Sequence, residues 1–355
     1  MGLAKLIGKR VAGALLVIFG ELVLVFFLVN VAAPNPASIW AGPEASPEQI
    51  QIITQLYHLN SPWYIQFLYY VKNFFTGNWG ISPLYQTPVI QLVEEYLPVT
   101  LELAVISLIL KLIIEIPLGV LSGLKPNGFL DNAIRIIYTV TRSVPPFFVA
   151  LGLLLVLAYD VHAFPASYPV DPILALKEPK FEIYDPFNGK YYPFWFFDNM
   201  PILNALLVGD FSAFASALDH AILPALSLTL FGFGGITRLS RNSMIEALNM
   251  DYIKTARAKG LRERVVIYRH ALRNSLLPTI TLSSVIFAGS IQGALVVETI
   301  FNYYGMGYYL AQSLLDLDTP SLLAGTVVVT IVVVISNLVA DILYSVVDPR
   351  VRETV

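Results

Sequence analysis

The chain has 355 residues, of which 56% are hydrophobic and only 13% are charged, and its formal net charge is −3. Soluble globular domains carry about 25% charged residues, so this composition and the mean hydropathy of +0.67 indicate a membrane protein with several spans. The absence of cysteine excludes disulfides, thiolate metal sites and cysteine nucleophiles, and the four histidines lack the i,i+3 or i,i+4 spacing of a helical metal site.

Repeated apolar stretches of about 20 residues predict transmembrane helices, because a β-barrel would show alternating segments of about 10 residues. The N-terminal region, residues 1–33, holds a short tail and a first span that is too long for the apolar part of a signal peptide. Five further spans are predicted at residues 99–124, 132–159, 221–239, 276–297 and 322–347. The predicted fold class is therefore all-α, a polytopic membrane protein with six transmembrane helices.

Polar segments separate these spans. Residues 34–95 contain two predicted amphipathic helices, Pro47–Tyr57 and Trp63–Phe75, and the span-bearing core covers residues 96–347. Residues 160–220 form a second long loop that is interrupted by proline and rich in aromatic side chains, and residues 348–355 form a tail.

The distribution of cations predicts the orientation. With the N-terminus inside, nearly all Lys and Arg residues outside the spans fall in inside segments. The exceptions are Lys72, Lys177, Lys180 and Lys190. The positive-inside rule therefore predicts a cell-membrane protein with both termini in the cytoplasm and both long loops outside.

Three local signals modify the spans. Thr100, just after Pro98, is predicted to cap the N-terminus of the second span. Pro145 and Pro146 should kink the third span, because proline removes a helical hydrogen bond. The glycines of Phe231–Gly235 should allow close helix approach or bending in the fourth span.

Polar residues within or beside the spans are candidates for intramembrane polar or gating roles. They are Glu21, Lys111, Glu115, Glu298, Asn337 and Asp341. Lys111 and Glu115 are four residues apart and can pair on one helical face, so an ion relay, a substrate contact and a structural charge pair all stay open. Glu298 is interpreted either as a gate or docking residue or as a polar helix end. Asn337 and Asp341 are expected to form interhelical hydrogen bonds, and Glu21 is expected to face protein.

The segment 248–275 is unusually basic. It carries Lys254, Arg257, Lys259, Arg262, Arg264, Arg269 and Arg273. Its pattern predicts a short helix over Asp251–Gly260, with Asp251 as N-cap and Gly260 ending it, and a second helix over Arg262–Leu276. The charges alone would suit a topological anchor, whereas the alanine-rich helix with its glycine stop favours a surface that another protein grips.

The sequence here resembles a known family. Tyr252–Leu261 followed by Arg269–Pro278 is similar to the coupling loop of dipeptide/oligopeptide-type ABC importer permeases. Further similar motifs, in the family's order, are Pro62–Gln66, Gly77–Gly80, Ile116–Gly119, Arg142–Phe148, Gly293–Phe301, Gly305–Gly307, Asn337–Tyr344 and Asp348–Arg352. The sequence departs from the broader family at Lys254, where an acidic residue is usual, at Arg273, where proline is common, and in the length of the loop 160–220.

The resemblance implies the type I ABC importer permease fold, with 248–275 as the coupling loop. It implies ATPase-coupling residues at Asp251, Tyr252, Thr255, Ala256, Arg257, Ala258, Lys259, Gly260 and Leu261. The implied partners are a second homologous permease, two ABC ATPase subunits, an extracellular solute-binding protein and membrane lipid, with no nucleic acid. The chain itself would hold no cofactor, since ATP and Mg would bind to the partner ATPases, and it has no Walker-type glycine-rich motif.

The resemblance implies that the chain transports a solute and catalyses no reaction itself. The chain would form half of a pathway for peptides or oligosaccharides delivered by the binding protein. Two alternatives remain at this stage: a secondary transporter driven by an ion gradient, which would use Lys111 and Glu115, and an intramembrane enzyme, which would need paired catalytic groups at one depth.

Overall fold

The computed structural model describes residues 3–30, 36–42, 45–170, 180–185 and 190–347. Nearly all regular structure in these residues is helical, so the predicted all-α class is confirmed. One small addition is an antiparallel hairpin of β1 (Glu182–Asp185) and β2 (Lys190–Pro193), in which Glu182 pairs with Pro193. The predicted tail, 348–355, lies outside the described residues.

The helices are numbered in chain order. The first seven are α1 (Leu3–Asn30), α2 (Pro36–Ala41), α3 (Pro47–Leu56), α4 (Trp63–Phe75), α5 (Val89–Leu124), α6 (Phe129–Ser143) and α7 (Pro146–Leu153), the last continued by a π-helical segment, Leu154–Asp160. Next come α8 (Trp195–Asp198), α9 (Pro201–Val208), α10 (Phe211–Leu230), α11 (Gly235–Asn249) and α12 (Asp251–Ala258). The last are α13 (Glu263–Val265), a π-helical turn (Val266–Ala271), α14 (Leu272–Ser275), α15 (Leu277–Ile300), α16 (Met306–Leu315) and α17 (Thr319–Val347).

Within the described residues, five helices are long and apolar enough to cross a bilayer. These spans are Ile7–Val29, Val89–Leu124, Phe211–Leu230, Leu282–Ile300 and Thr319–Ile342. A sixth crossing is reached only if α6 and the helix from Pro146 to Asp160 count as one broken span, and these two are bent by 104°. The predicted kink at Pro145 and Pro146 is therefore a sharp break, since proline disfavours helix in the residue before it and lacks the N–H that would continue the ladder.

The second span begins earlier than predicted, and Thr100 is not its N-cap. α5 starts at Val89 and runs for 36 residues, with Pro98 inside it. Pro98 has no N–H for the carbonyl of Glu94, and the side chain of Asn199 donates to that carbonyl instead, from Nδ2 at 3.2 Å. The helix therefore continues past Pro98, because a side chain donates the hydrogen bond that the proline cannot.

The fourth span also differs from its predicted bounds, 221–239. Asp210 caps α10 by accepting hydrogen bonds from the N–H groups of Ser212 and Ala213, both at 3.0 Å. The helix ends at Leu230, and a glycine turn separates it from α11. Gly232 and Gly234 have φ of +74° and +91°, a left-handed conformation that favours glycine. The glycines therefore break the helix rather than only bending it.

The segment before α5 forms a layer on one end of the bundle. Helices α3 and α4 occupy the predicted amphipathic stretches, and α3 begins with a capping box in which Ser46 and Gln49 exchange hydrogen bonds at 3.2 and 2.8 Å. Trp40 stacks on Tyr57 at 4.7 Å. This layer shares one buried apolar core with α1, α5, α16 and α17.

Candidate functional site

Helix α12 lies between α11 and α13, and only a narrow stripe of its surface is buried. Ile253 and Ala256, three residues apart on this helix, are 0% and 5% exposed. They belong to one apolar cluster whose other members are Val120, Met244, Ala247, Val266 and Ala271. Burial of one narrow stripe therefore holds the short helix against α11 and the π-helical turn Val266–Ala271.

The rest of α12 and its end are exposed. Asp251, Tyr252, Thr255, Arg257, Ala258, Lys259, Gly260 and Leu261 are all on the surface. Of the residues that the resemblance implied for coupling, only Ala256 faces inward. A contact from Ala256 to another protein is excluded in this arrangement, because its side chain is already packed.

Asp251 does not cap the helix. Met250 precedes the first turn without any side-chain hydrogen bond to it. Asp251 instead forms an exposed ion pair with Lys254, at 2.8 Å between Oδ1 and Nζ. Exposed pairs of this kind contribute about 0–1 kcal/mol, so both groups remain available at the surface.

Gly260 ends the helix in a left-handed conformation, with φ of +72°. Its N–H donates to the carbonyl of Arg257 at 2.9 Å, and the N–H of Leu261 donates to the carbonyl of Ala256 at 3.4 Å. This double pattern is the Schellman motif, in which glycine avoids the strain that a side chain would meet. The chain can then turn at once into α13.

Arg257 is already paired within the chain. Its Nη2 lies 2.7 Å from Oε1 of Glu263, across the turn that follows Gly260. The hydrogen bond from Arg257 lowers the pKa of the Glu263 carboxyl, and the same bond raises the pKa of Arg257. The pair links α12 to α13, and the exposed cations beside it are Lys259, Arg262 and Arg264.

Two glycines let α5 and α11 approach closely behind α12. A Cβ at Gly119 would lie 2.5 Å from the carbonyl oxygen of Thr237, and one at Gly123 would lie 2.9 Å from that of Arg241. The spacing Gly-x-x-x-Gly places both on one face of the helix, as in other tightly packed membrane helices. Movement of α11 must therefore be transmitted to α5.

An ion pair fixes the same contact. Arg241 donates from Nε and Nη2 to the two carboxylate oxygens of Asp131, each at 2.7 Å. The Asp131 side chain is fully buried, and it also accepts hydrogen bonds from the Ser122 hydroxyl and from the N–H of Asn127. Helices α5, α6 and α11 are thus joined into one module that carries α12. Sequence reasoning missed this pair, because its partners are 110 residues apart.

Glu115 caps the N-terminus of α11 from the neighbouring helix. Its Oε2 accepts hydrogen bonds from the N–H groups of Gly234 and Thr237, at 3.0 and 3.1 Å. The ion pair that the i,i+4 spacing allowed with Lys111 does not form within 4 Å, although both side chains are buried. A carboxylate at a helix N-terminus satisfies unpaired N–H groups and complements the helix dipole, which accounts for the choice of partner.

Glu298 has the same role for α16. Its Oε2 accepts from the N–H groups of Gly307 and Tyr308, at 2.7 and 3.2 Å, and its Oε1 accepts from the Thr100 hydroxyl at 2.7 Å. The Thr100 oxygen in turn accepts from the N–H of Met306 at 2.7 Å. Glu298 is 0% exposed. Its complete burial does not suit docking to another protein, and its hydrogen bonds fit the interpretation as a polar helix-end residue. A role as a gate stays a prediction.

A third carboxylate follows this pattern and was not predicted. Glu102, buried in α5, accepts from the N–H groups of Ile202 and Leu203 in the first turn of α9, at 3.2 and 2.7 Å. The sequence signal was an acidic residue inside an apolar stretch, but nothing in it identified the helix end to be capped.

The remaining polar candidates lie elsewhere. Asp341 forms an ion pair with Arg10, at 2.9 Å between Oδ2 and Nη1, which joins α17 to α1. These two residues and Asn337 line a groove of about 730 Å³. Glu21 is half-buried on α1. The structure therefore does not bring the six polar candidates together into one site.

Comparison with known proteins gives the identity of the fold. Residues 115–353 match the family described as binding-protein-dependent transport system inner membrane component, and residues 3–104 match the N-terminal region of such membrane components.

Several relatives align over nearly the whole chain. A probable D,D-dipeptide transport system permease protein of Escherichia coli is 35% identical, covering 98% of this chain and 97% of the relative. An oligopeptide transport system permease protein of Bacillus subtilis is 33% identical, covering 99% and 100%. A dipeptide transport system permease protein of Alkalihalophilus pseudofirmus is 32% identical, covering 95% and 96%. The chain belongs to the family of binding-protein-dependent transport system inner membrane components, and it has the type I ABC importer permease fold.

Proposed function

We propose that this chain is a permease subunit of an ATP-driven importer and forms half of the translocation pathway for peptides. An extracellular solute-binding protein delivers the peptide, and ATP and Mg bind to separate ATPase subunits. The observation that carries the proposal is that α12 is exposed and is joined to the α5–α6–α11 module. In addition, relatives that align over nearly the whole chain are named as peptide permeases. Those names favour peptides over oligosaccharides.

The geometry supports coupling through α12. The helix is anchored by only two buried side chains, Ile253 and Ala256, yet the module behind it is held by close glycine contacts and a bidentate ion pair. A partner that grips the exposed face of α12 would therefore move α11 and α5 with it. Such a rigid connection suits a two-state transporter driven by nucleotide binding elsewhere.

The partners follow from this mechanism. Two ATPases, one for each permease, would bind the α12 surfaces, and a second homologous permease would complete the pathway within the lipid bilayer. The cations around α12 would face the cytoplasm, in line with the positive-inside rule, and both chain termini would be on that side. The alternative of an ion-driven transporter is not favoured, because Glu115, one of the two intramembrane charges that motivated it, has a structural role as the cap of α11.

Substitution of Ala258 by Phe tests the proposal. Ala258 is exposed, so the larger side chain obstructs a partner without disturbing the apolar cluster. In proteoliposomes containing the complete transporter, we expect ATP-driven peptide uptake to fall at least tenfold and ATPase subunits to be lost on purification. The matched control is Glu246→Phe, on the exposed surface of α11, which should retain uptake. Normal transport by Ala258→Phe would show that α12 is not the coupling surface.

A further inference from the structure

The groove that contains Asp341 follows two helices along their length. It has a volume of about 730 Å³ and lies between α1, α15 and α17. Its lining on α17 follows one helical face from Val329 to Asp341, a length of about 18 Å. Its lining on α1 also follows one face, at Lys9, Arg10, Gly13, Ala14 and Val17. The groove therefore suits an occupant shaped like a rod that runs parallel to these helices.

All three helices of the groove contain segments that are long and apolar enough to span a bilayer. Thr330 is within one residue of the centre of the span Thr319–Ile342. Gln292 is within one residue of the centre of the span Leu282–Ile300. Both residues are therefore about 12–18 Å from the ends of their spans, in the middle of a hydrocarbon layer about 30 Å thick.

Three polar side chains of the groove lack a hydrogen-bond partner among the described residues. They are Gln292, Thr330 and Asn337. By contrast, the hydroxyl of Ser336 on the same helix donates to the carbonyl of Val332 at 2.7 Å. Gln292 and Asn337 are exposed, and hydrocarbon offers no partner to an amide. The occupant of the groove must therefore be able to form hydrogen bonds.

The charges at one end of the groove do not balance. Arg10 pairs with Asp341, at 2.9 Å between Nη1 and Oδ2. Lys9, which also lines the groove, has no ion pair among the described residues. An acidic side chain at this end of the occupant would complement the remaining positive charge.

These features favour one kind of occupant. The acyl chain of a lipid has the shape of a rod, but it cannot form a hydrogen bond with Gln292 or Thr330. A water-filled pathway would be polar along its length, whereas Val333 and Val334 lie between Thr330 and Asn337 on the lining face. Small and branched apolar residues with single polar side chains are typical of interfaces between transmembrane helices, where the polar groups bond across the interface.

We infer that the groove between α1, α15 and α17 is the docking surface for a transmembrane helix of the second permease. That helix carries polar side chains that form hydrogen bonds with Gln292, Thr330 and Asn337, and an acidic side chain opposite Lys9. The inference rests on the proposed function, which includes a second permease, and it names the surface that this partner occupies.

The chain has no cysteine, so a single introduced cysteine can carry a photoreactive label. Asn337→Cys is labelled with benzophenone maleimide, and the complete transporter is irradiated in proteoliposomes. We expect a covalent adduct with the second permease. The matched control is Val339→Cys, which is 48% exposed and lies outside the groove. Two residues turn a helix by about 200°, so this label faces away and should give little or no such adduct.

A second measurement separates docking from a structural role within the chain. In Gln292→Leu and Asn337→Leu, we expect the dissociation constant between the two permeases in detergent to rise roughly tenfold, equivalent to about 1.4 kcal/mol. Val339→Leu is the control and should leave it unchanged. The thermal midpoint of the isolated chain should not fall in any of these variants, because neither polar side chain has a partner among its described residues.

Other outcomes overturn the inference in distinguishable ways. An Asn337→Cys adduct with lipid alone would show that the groove faces the bilayer, and an adduct with a second copy of this chain would show self-association. Reaction of Asn337→Cys with a charged, water-soluble thiol reagent in the assembled transporter would show a water-filled pathway. Absence of ATP-driven peptide uptake by the unsubstituted transporter would contradict the proposed function, independently of where the adduct forms.

Discussion

Replacement of Glu298 by Ala should destabilise the bundle strongly. The carboxylate accepts two backbone N–H groups and the Thr100 hydroxyl, and no part of it reaches the surface. A buried donor that loses its partner costs about 1–3 kcal/mol, so the two N–H groups of Gly307 and Tyr308 alone predict a loss of about 2–6 kcal/mol. Glu298→Gln keeps the shape and one acceptor oxygen, and it should lose roughly half as much.

The measurement is the thermal midpoint of the purified chain in detergent at one fixed scan rate, because large membrane proteins commonly unfold irreversibly. The expected order of midpoints is unsubstituted chain, Glu298→Gln, then Glu298→Ala. The control is Glu95→Ala, which removes an exposed acid on α5 and should change stability by no more than about 0.5 kcal/mol. If Glu298→Ala is as stable as Glu95→Ala, the first turn of α16 does not depend on this carboxylate.

Three further predictions concern the module behind α12. Gly119→Ala should force α5 away from Thr237, at a cost of about 1–3 kcal/mol, and should lower the ratio of uptake to ATP hydrolysis. Gly152→Ala is the control, because a Cβ there meets nothing within 4 Å, and it should leave both stability and this ratio unchanged. Arg241→Gln should lower the stability of the chain by about 3–5 kcal/mol, because it leaves Asp131 buried without its cation. The measurement is the thermal midpoint, and the control is Arg262→Gln at an exposed site. Equal midpoints of the two variants would contradict a stabilising role for the Asp131–Arg241 pair. Because the Glu263 carboxyl has a lowered pKa, its pair with Arg257 should persist at neutral pH and be lost only as pH falls through that lowered value. Glu263→Gln should therefore speed hydrogen exchange across residues 251–265 at neutral pH, and unchanged exchange would exclude the pair as a link.

The sequence predicted those features whose causes are local. Gly260 ends α12 because a left-handed residue is needed there, and the adjacent Pro145 and Pro146 break the helix between α6 and α7. The amphipathic stretches that became α3 and α4 were predicted for the same reason, since periodicity requires no knowledge of distant residues. Each of these signals lies within a few residues of the structure that it specifies.

Features that depend on a distant partner could not be predicted in this way. Thr100, just after Pro98, was predicted to cap the second span, but Pro98 lies inside α5, where Asn199 supplies a donor to the carbonyl of Glu94. Ala256 was named among the residues that couple to an ATPase, and its burial depends on Met244 and Val266 of neighbouring helices. The i,i+4 spacing indicated Lys111 as a partner for Glu115, but Glu115 accepts hydrogen bonds from two N–H groups at the N-terminus of α11 instead.

Three buried glutamates within the bundle share one physical explanation. A helix that begins beside a glycine or proline break leaves N–H groups that lipid cannot satisfy. Here the donors of α9, α11 and α16 are satisfied by Glu102, Glu115 and Glu298, each of which projects from a long neighbouring helix. The cost of burying a carboxylate is thereby offset where a broken helix needs an acceptor.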